Sequence, residues 1–125
     1  MARKLSRLAG EFGRTIEVFA QVNTSGEASK SGMAPGAVDA FLAQAAGLPN
    51  LRWRGLMTIG PLTDDERQVR AAFAALRELR ERTARAYAAL PLTELSMGMT
   101  GDYAWAIAEG ATVVRIGRAI FGARQ

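Results

Sequence analysis

At 125 residues and 49% hydrophobic, with a mean hydropathy of zero, the chain has the balance of a soluble globular domain able to bury a real core. It has no cysteine and no histidine, which excludes disulfides and thiolate metal sites and removes the commonest general base. The 16 Lys and Arg outnumber the 12 Asp and Glu for a net charge of +4, but no nucleic-acid motif or aromatic platform accompanies the charge, so nucleic acid is not the expected partner. No apolar run approaches the roughly 18 residues of a membrane span, and the opening MARKLSRLAGEFGRT lacks the apolar stretch of a secretory signal, so no membrane partner and a cytoplasmic location are expected.

In chain order, Leu5, Leu8, Ala9 and Phe12 recur at helical spacing and predict an amphipathic helix over 2–12, with Gly13 at its C′ position. The β-branched and apolar run 16–22 predicts a strand that stops at Asn23, followed by a polar loop over 24–32. Pro35 suits the first turn of a helix running to about residue 46 and ended by Gly47 and Pro49. The run 53–59, apolar except for Arg54 and Thr58, reads as a strand covered on both faces. Thr63-Asp64-Asp65-Glu66 has the form of a capping box, and Val69, Ala72, Phe73, Leu76, Leu79, Thr83 and Tyr87 carry the longest helix towards Pro91. Its Arg77-Glu78-Leu79-Arg80-Glu81-Arg82 segment is the pattern of a solvated face with local ion pairs. A third strand over 93–97, a helix from about Asp102 to Glu109 with Thr100 as N-cap and Gly110 as stop, a fourth strand over 112–116 and a helical turn over 118–121 complete the chain.

Helix and strand alternating four times imply parallel strands joined by right-handed crossovers. A small, open, doubly wound sheet and part of a (β/α) barrel fit this pattern equally, because both bury their strands. The chemistry gathers after the last two strands. Ser96, Gly98 and Thr100 lie in one turn and Gly117 in the other, so two glycine-bearing turns could hold one anion between them. In barrels, phosphate commonly sits in the loops after the last two strands. The same hydroxyls could instead only cap the following helix. Arg115, between Val114 and Ile116 in an apolar strand, is either a surface charge or a buried cation in need of a partner. Asn23, Met57 and Thr58 either line a pocket or fill the layer beneath it. Lys30 lies in a polar loop, which argues for an exposed, protonated side chain.

The stretch LSMGMTGDYAWAIAEGATVVRIGRAIFG at 95–122 resembles the C-terminal signature of the pyridoxal-phosphate homeostasis proteins, the YggS-like relatives of the alanine racemase N-terminal barrel. QVNTSGEASKSG at 21–32 and LRWRGLMTIGPLTDD at 51–65 resemble two further stretches of that family in the same order. The resemblance implies an α/β fold comprising the last four strands, with their helices, of a TIM-type barrel. It also implies that the first half of the barrel, with the lysine that holds the cofactor, has no counterpart here. It points to pyridoxal 5'-phosphate as cofactor, held non-covalently by Ser96, Met97, Gly98, Thr100, Arg115, Ile116 and Gly117, with Thr100 where serine is usual. Arg118 stands where the family often has threonine, which puts a direct role for it in doubt. The family carries the cofactor without an established turnover, so no catalytic or metal-binding residue is expected. A phosphate-binding racemase- or isomerase-type enzyme is the alternative, opposed by the lack of a base on the strand ends, since Tyr87 and Tyr103 fall on helices. A gene fragment without independent function is another. Half a barrel would leave its first and last strands as open edges, so association of two copies is expected.

Overall fold

The computed structural model describes residues 1–27 and 31–115. Its elements are α1 (Ala2–Glu11), β1 (Ile16–Gln21), a 3-10 turn (Pro35–Ala37) leading into α2 (Val38–Ala45), β2 (Leu51–Met57), α3 (Glu66–Ala86), β3 (Glu94–Met99), α4 (Tyr103–Ala108) and β4 (Val113–Arg115). The four strands form one sheet in the order β1-β2-β3-β4, with every neighbouring pair parallel. This is the expected α/β alternation, and β1 and β4 are its edges.

The register sorts the side chains into two faces. Ala20 pairs with Leu56 and Leu56 with Leu95, and this row is buried together with Leu42 of α2 and Phe73 and Leu76 of α3. On α3, Val69, Ala72, Phe73, Leu76, Leu79 and Thr83 form the buried stripe, the three-and-four spacing read from the sequence. Phe41 meets Trp53 edge to face, with ring centroids 5.2 Å apart, and anchors α2 over β1 and β2. The next row, Gln21, Met57, Ser96 and Val113, falls on the opposite face, which carries no helix among the described residues.

Three local expectations are corrected. The capping box does not open α3. Asp65 is the N-cap, its Oδ1 accepting the Arg67 N–H at 3.0 Å and its Oδ2 accepting from Gln68 Nε2 at 3.1 Å. The Thr63 hydroxyl only receives the Asp65 N–H at 3.2 Å. Two capping residues stand two positions apart in the sequence, and the one whose carboxylate reaches two donors wins. Arg54 is not an anomaly within a buried strand either. The pairing slips between Val18 and Phe19, which gives β2 an extra residue at Arg54. The Arg54 side chain turns to Glu17, NH1 to Oε2 at 2.8 Å. Finally, β4 is not covered on both faces: Val113 and Arg115 are exposed and only Val114 is half-buried. As an edge strand it meets α4 on one side.

Candidate functional site

The strands end at a common rim that is stitched across β1, β2 and β3. Buried Thr58 donates its hydroxyl to Val22 O at 2.7 Å, so the 3.0 Å contact with Thr24 Oγ1 has Thr24 as donor. Its backbone N–H reaches Ser96 O at 3.1 Å. Thr58 therefore fills the layer beneath the rim, whereas half-buried Met57 stands on the helix-free face beside Ser96. Asn23 organises the loop that follows β1. Its Nδ2 donates to Glu27 O at 2.7 Å and its Oδ1 accepts the Ser25 N–H and hydroxyl. The loop returns at Met33, which pairs with Val22 in parallel and covers the rim end of β1.

The turn after β3 is shaped by glycine. Gly98 has φ +108°, and a Cβ there would lie 2.7 Å from Ala106 Cβ and 3.3 Å from Tyr103 Cα. The strand end and α4 touch at this point only because no side chain separates them. Ser96 is buried and shares the face of Val113, its pairing partner in β4. Met97 is fully buried in the core, so only its backbone is available to a ligand. Thr100 is exposed and does not cap α4; the N-cap position belongs to Asp102. The Asp102 Oδ1 instead reaches back to accept the Met99 N–H at 2.8 Å and closes the turn. Asp102 was visible in the sequence as a helix-start residue, but its backward reach depends on a turn that local sequence does not specify. Arg115 is exposed rather than buried, on the same face as Val113 and Ser96. Ile116, Gly117, Arg118, the helical turn over 118–121 and Lys30 lie outside the described residues.

Behind the turns, Glu109 gathers two arginines of α3. Arg70 Nε donates to its Oε2 at 2.8 Å and Arg77 NH1 to its Oε1 at 2.7 Å, while Arg77 also reaches the Glu109 carbonyl at 3.1 Å. The hydrogen bond from Arg70, then that from Arg77, holds the Glu109 carboxyl below its ordinary range. Glu109, and after it Glu66, raises Arg70 in turn. The spacing of seven residues between Arg70 and Arg77 puts them on one helix face, a signal present in the sequence. Their partner, 32 and 39 residues away, was not.

A parallel sheet with a helix between successive strands agrees with what known proteins show. The sequence pattern of the alanine racemase N-terminal domain matches residues 1–125. The chain belongs to this family. A pyridoxal phosphate homeostasis protein of Pseudomonas aeruginosa is 52% identical over 110 residues, 88% of this chain and 46% of that protein. One of Aquifex aeolicus is 44% identical over 126 residues, spanning all of this chain and 54% of the relative. The chain thus spans about half the length of the curated relatives it matches. Among solved structures of the fold, PipY of Synechococcus elongatus without PLP superposes with a TM-score of 0.91 at 40% identity, over 97% of this chain and 56% of that one. PipY with PLP bound superposes with a TM-score of 0.86 at 38% identity, over the same shares. Alanine racemase of Clostridium difficile, at 14% identity, a TM-score of 0.73 and 98% and 30% of the two chains, shares the fold alone. The four-stranded sheet is therefore part of a TIM-type barrel, and the small open sheet is set aside. No helix among the described residues is long and apolar enough to cross a membrane.

Proposed function

We propose that this chain is the C-terminal half of a pyridoxal-phosphate homeostasis protein, a single unit over residues 1–125, and that it holds pyridoxal 5'-phosphate non-covalently at the rim of β3 and β4. The observation that carries the reading is the pairing of Ser96 with Val113, which sets the Ser96–Gly98 strand end beside the strand carrying Arg115. A hydroxyl, a glycine turn and an exposed guanidinium on one side of the sheet fit an anionic phosphate ester. The names of the curated relatives and the PLP-bound relative support the same cofactor.

In this reading Ser96 and Thr100 supply hydroxyls, Met97 and Gly98 supply backbone, and Arg115 supplies charge. Ile116 and Gly117, the remaining residues assigned to the cofactor, lie outside the described residues. The cofactor itself supplies an electrophilic aldehyde; the chain orients its phosphate. Lys4 is exposed on α1, and no lysine sits on a described strand, so the grip is reversible. Titration should show weak binding of pyridoxal phosphate in competition with inorganic phosphate, with no stoichiometric lysine adduct after borohydride reduction. Arg115→Ala should weaken binding by about 1.5–3 kcal/mol, the worth of a charge-assisted hydrogen bond, with little loss of stability. A stoichiometric adduct on Lys30, or unaltered affinity in Arg115→Ala, would overturn this arrangement.

Self-association belongs to the same reading. Ile16 and Val22 donate towards β2, so the backbone groups of Glu17 and Phe19 face the open edge of β1. Leu8 and Phe12 near that edge, and Ile107 and Val113 near the other, are exposed. Unpaired edges beside apolar surface favour pairing with another chain. Light scattering should therefore find a dimer or larger species, and a cooperative monomer would count against assembly through these edges.

A further inference from the structure

We propose that Glu109, clamped by Arg70 and Arg77, is a positioning residue for the anion-binding turn: it sets α4 against Gly98 and so fixes the turn that follows β3. The inference rests on the reading of Ser96 to Gly98 as a phosphate grip. It concerns a residue that touches no ligand.

The geometry runs in one line. α4 is a six-residue helix that joins β3 to β4. At its start it lies on the β3 turn, with Ala106 and Tyr103 against the space where a Gly98 side chain would be. At its end, Glu109 is the C-cap, and both of its carboxylate oxygens and its carbonyl are held by α3. Gly110 then turns at φ +104°, where an added Cβ would lie 3.5 Å from Arg77 Cδ, and Thr112 locks the start of β4 to Leu95 through its hydroxyl. So short a helix has little stiffness of its own against tilt. Arg70 and Arg77 stand two turns apart on a helix of 21 residues that packs along the sheet, so the clamp ties α4 to the longest helix among the described residues. The Glu109 side chain is only 13% exposed, which leaves the bonds little screening by solvent. Arg70 also meets Glu66 at 3.2 Å, which holds the guanidinium towards its partner. A tilt of α4 would move the Gly98 turn it presses on, and a ligand held at Ser96 to Gly98 would sense it.

The test compares the whole wild-type chain with Glu109→Gln, Arg77→Gln and Arg77→Lys, using pyridoxal phosphate and inorganic phosphate as probes. Glu109→Gln is expected to bind pyridoxal phosphate roughly three- to tenfold more weakly, the range of coupling carried by residues that do not touch the ligand. Its circular dichroism should stay as in the wild type. The amide resonances of Gly98 and Met99 should shift before ligand is added, which a merely stabilising ion pair would not cause. Arg77→Gln should lose less, because Arg70 remains, and Arg77→Lys should recover most of that loss. If Glu109→Gln fails to fold, Arg77→Gln tests the proposal by its smaller loss of affinity and a shift of the same Gly98 and Met99 resonances. Lowered thermal stability with wild-type affinity and unmoved turn resonances would make the clamp purely structural and overturn the proposal. A wild-type chain that binds neither probe would overturn the phosphate reading itself, and the inference with it.

Discussion

Gly55→Ala is expected to abolish the native fold at room temperature. Gly55 pairs with Glu94 between β2 and β3, and a methyl there would overlap the Glu94 carbonyl oxygen and lie 2.6 Å from its carbon. Backbone cannot rotate away as a side chain can, so the two central strands must separate. Leu56 and Leu95, paired one step further along, would lose their packing with them. A cost above about 4 kcal/mol follows, at the extreme of single-substitution effects, against a total stability of about 5–15 kcal/mol for a domain. Circular dichroism and urea denaturation read it directly. A variant that unfolds cooperatively within about 1 kcal/mol of the wild type, the usual size of a point substitution, would mean that β2 and β3 do not meet in this way.

Gly98→Ala should be the most damaging change at the site, at about 3 kcal/mol of stability, together with loss of measurable pyridoxal phosphate binding. Two independent causes combine. A φ of +108° lies where residues with a side chain are strained, and the new methyl would press on Ala106 Cβ at 2.7 Å and Val114 Cγ1 at 3.2 Å. Gly26 offers the comparison, since it has φ +80° but nothing within 4 Å of its would-be Cβ, so Gly26→Ala should show backbone strain alone, about 1–2 kcal/mol. Adding Ala106→Gly to Gly98→Ala should restore part of the lost stability by removing the contact. Equal costs at Gly26 and Gly98 would show that α4 does not press on the turn.

Much of this was legible in the residues. Periodicity marked α3, Pro35 and Gly47 framed α2, and the apolar runs marked β1 and β2, because those signals act within a few residues of chain. Boundaries slipped where neighbouring residues competed for one role, as Thr63 and Asp65 did at the start of α3 and Thr100 and Asp102 did before α4. Such contests are decided by which oxygen reaches a free N–H, and that depends on the path of the incoming chain. The resemblance of residues 95–122 located the rim turns and the family. It did not reveal that Met97 turns into the core.

The sequence by itself determined the alternation of helix and strand, the parallel sense of the sheet and the place of the glycine turns, since hydrophobic period and backbone freedom are local properties. Which faces are covered was settled only in three dimensions. Arg54 turns to Glu17 because a bulge in β2 adds a residue at that position, Arg115 is exposed because β4 is an edge, and Glu109 joins α3 because parallel crossovers bring distant helices side by side. A carboxylate at the end of a short helix carries no mark of the arginines it will meet, and the fold alone brings them within bonding distance.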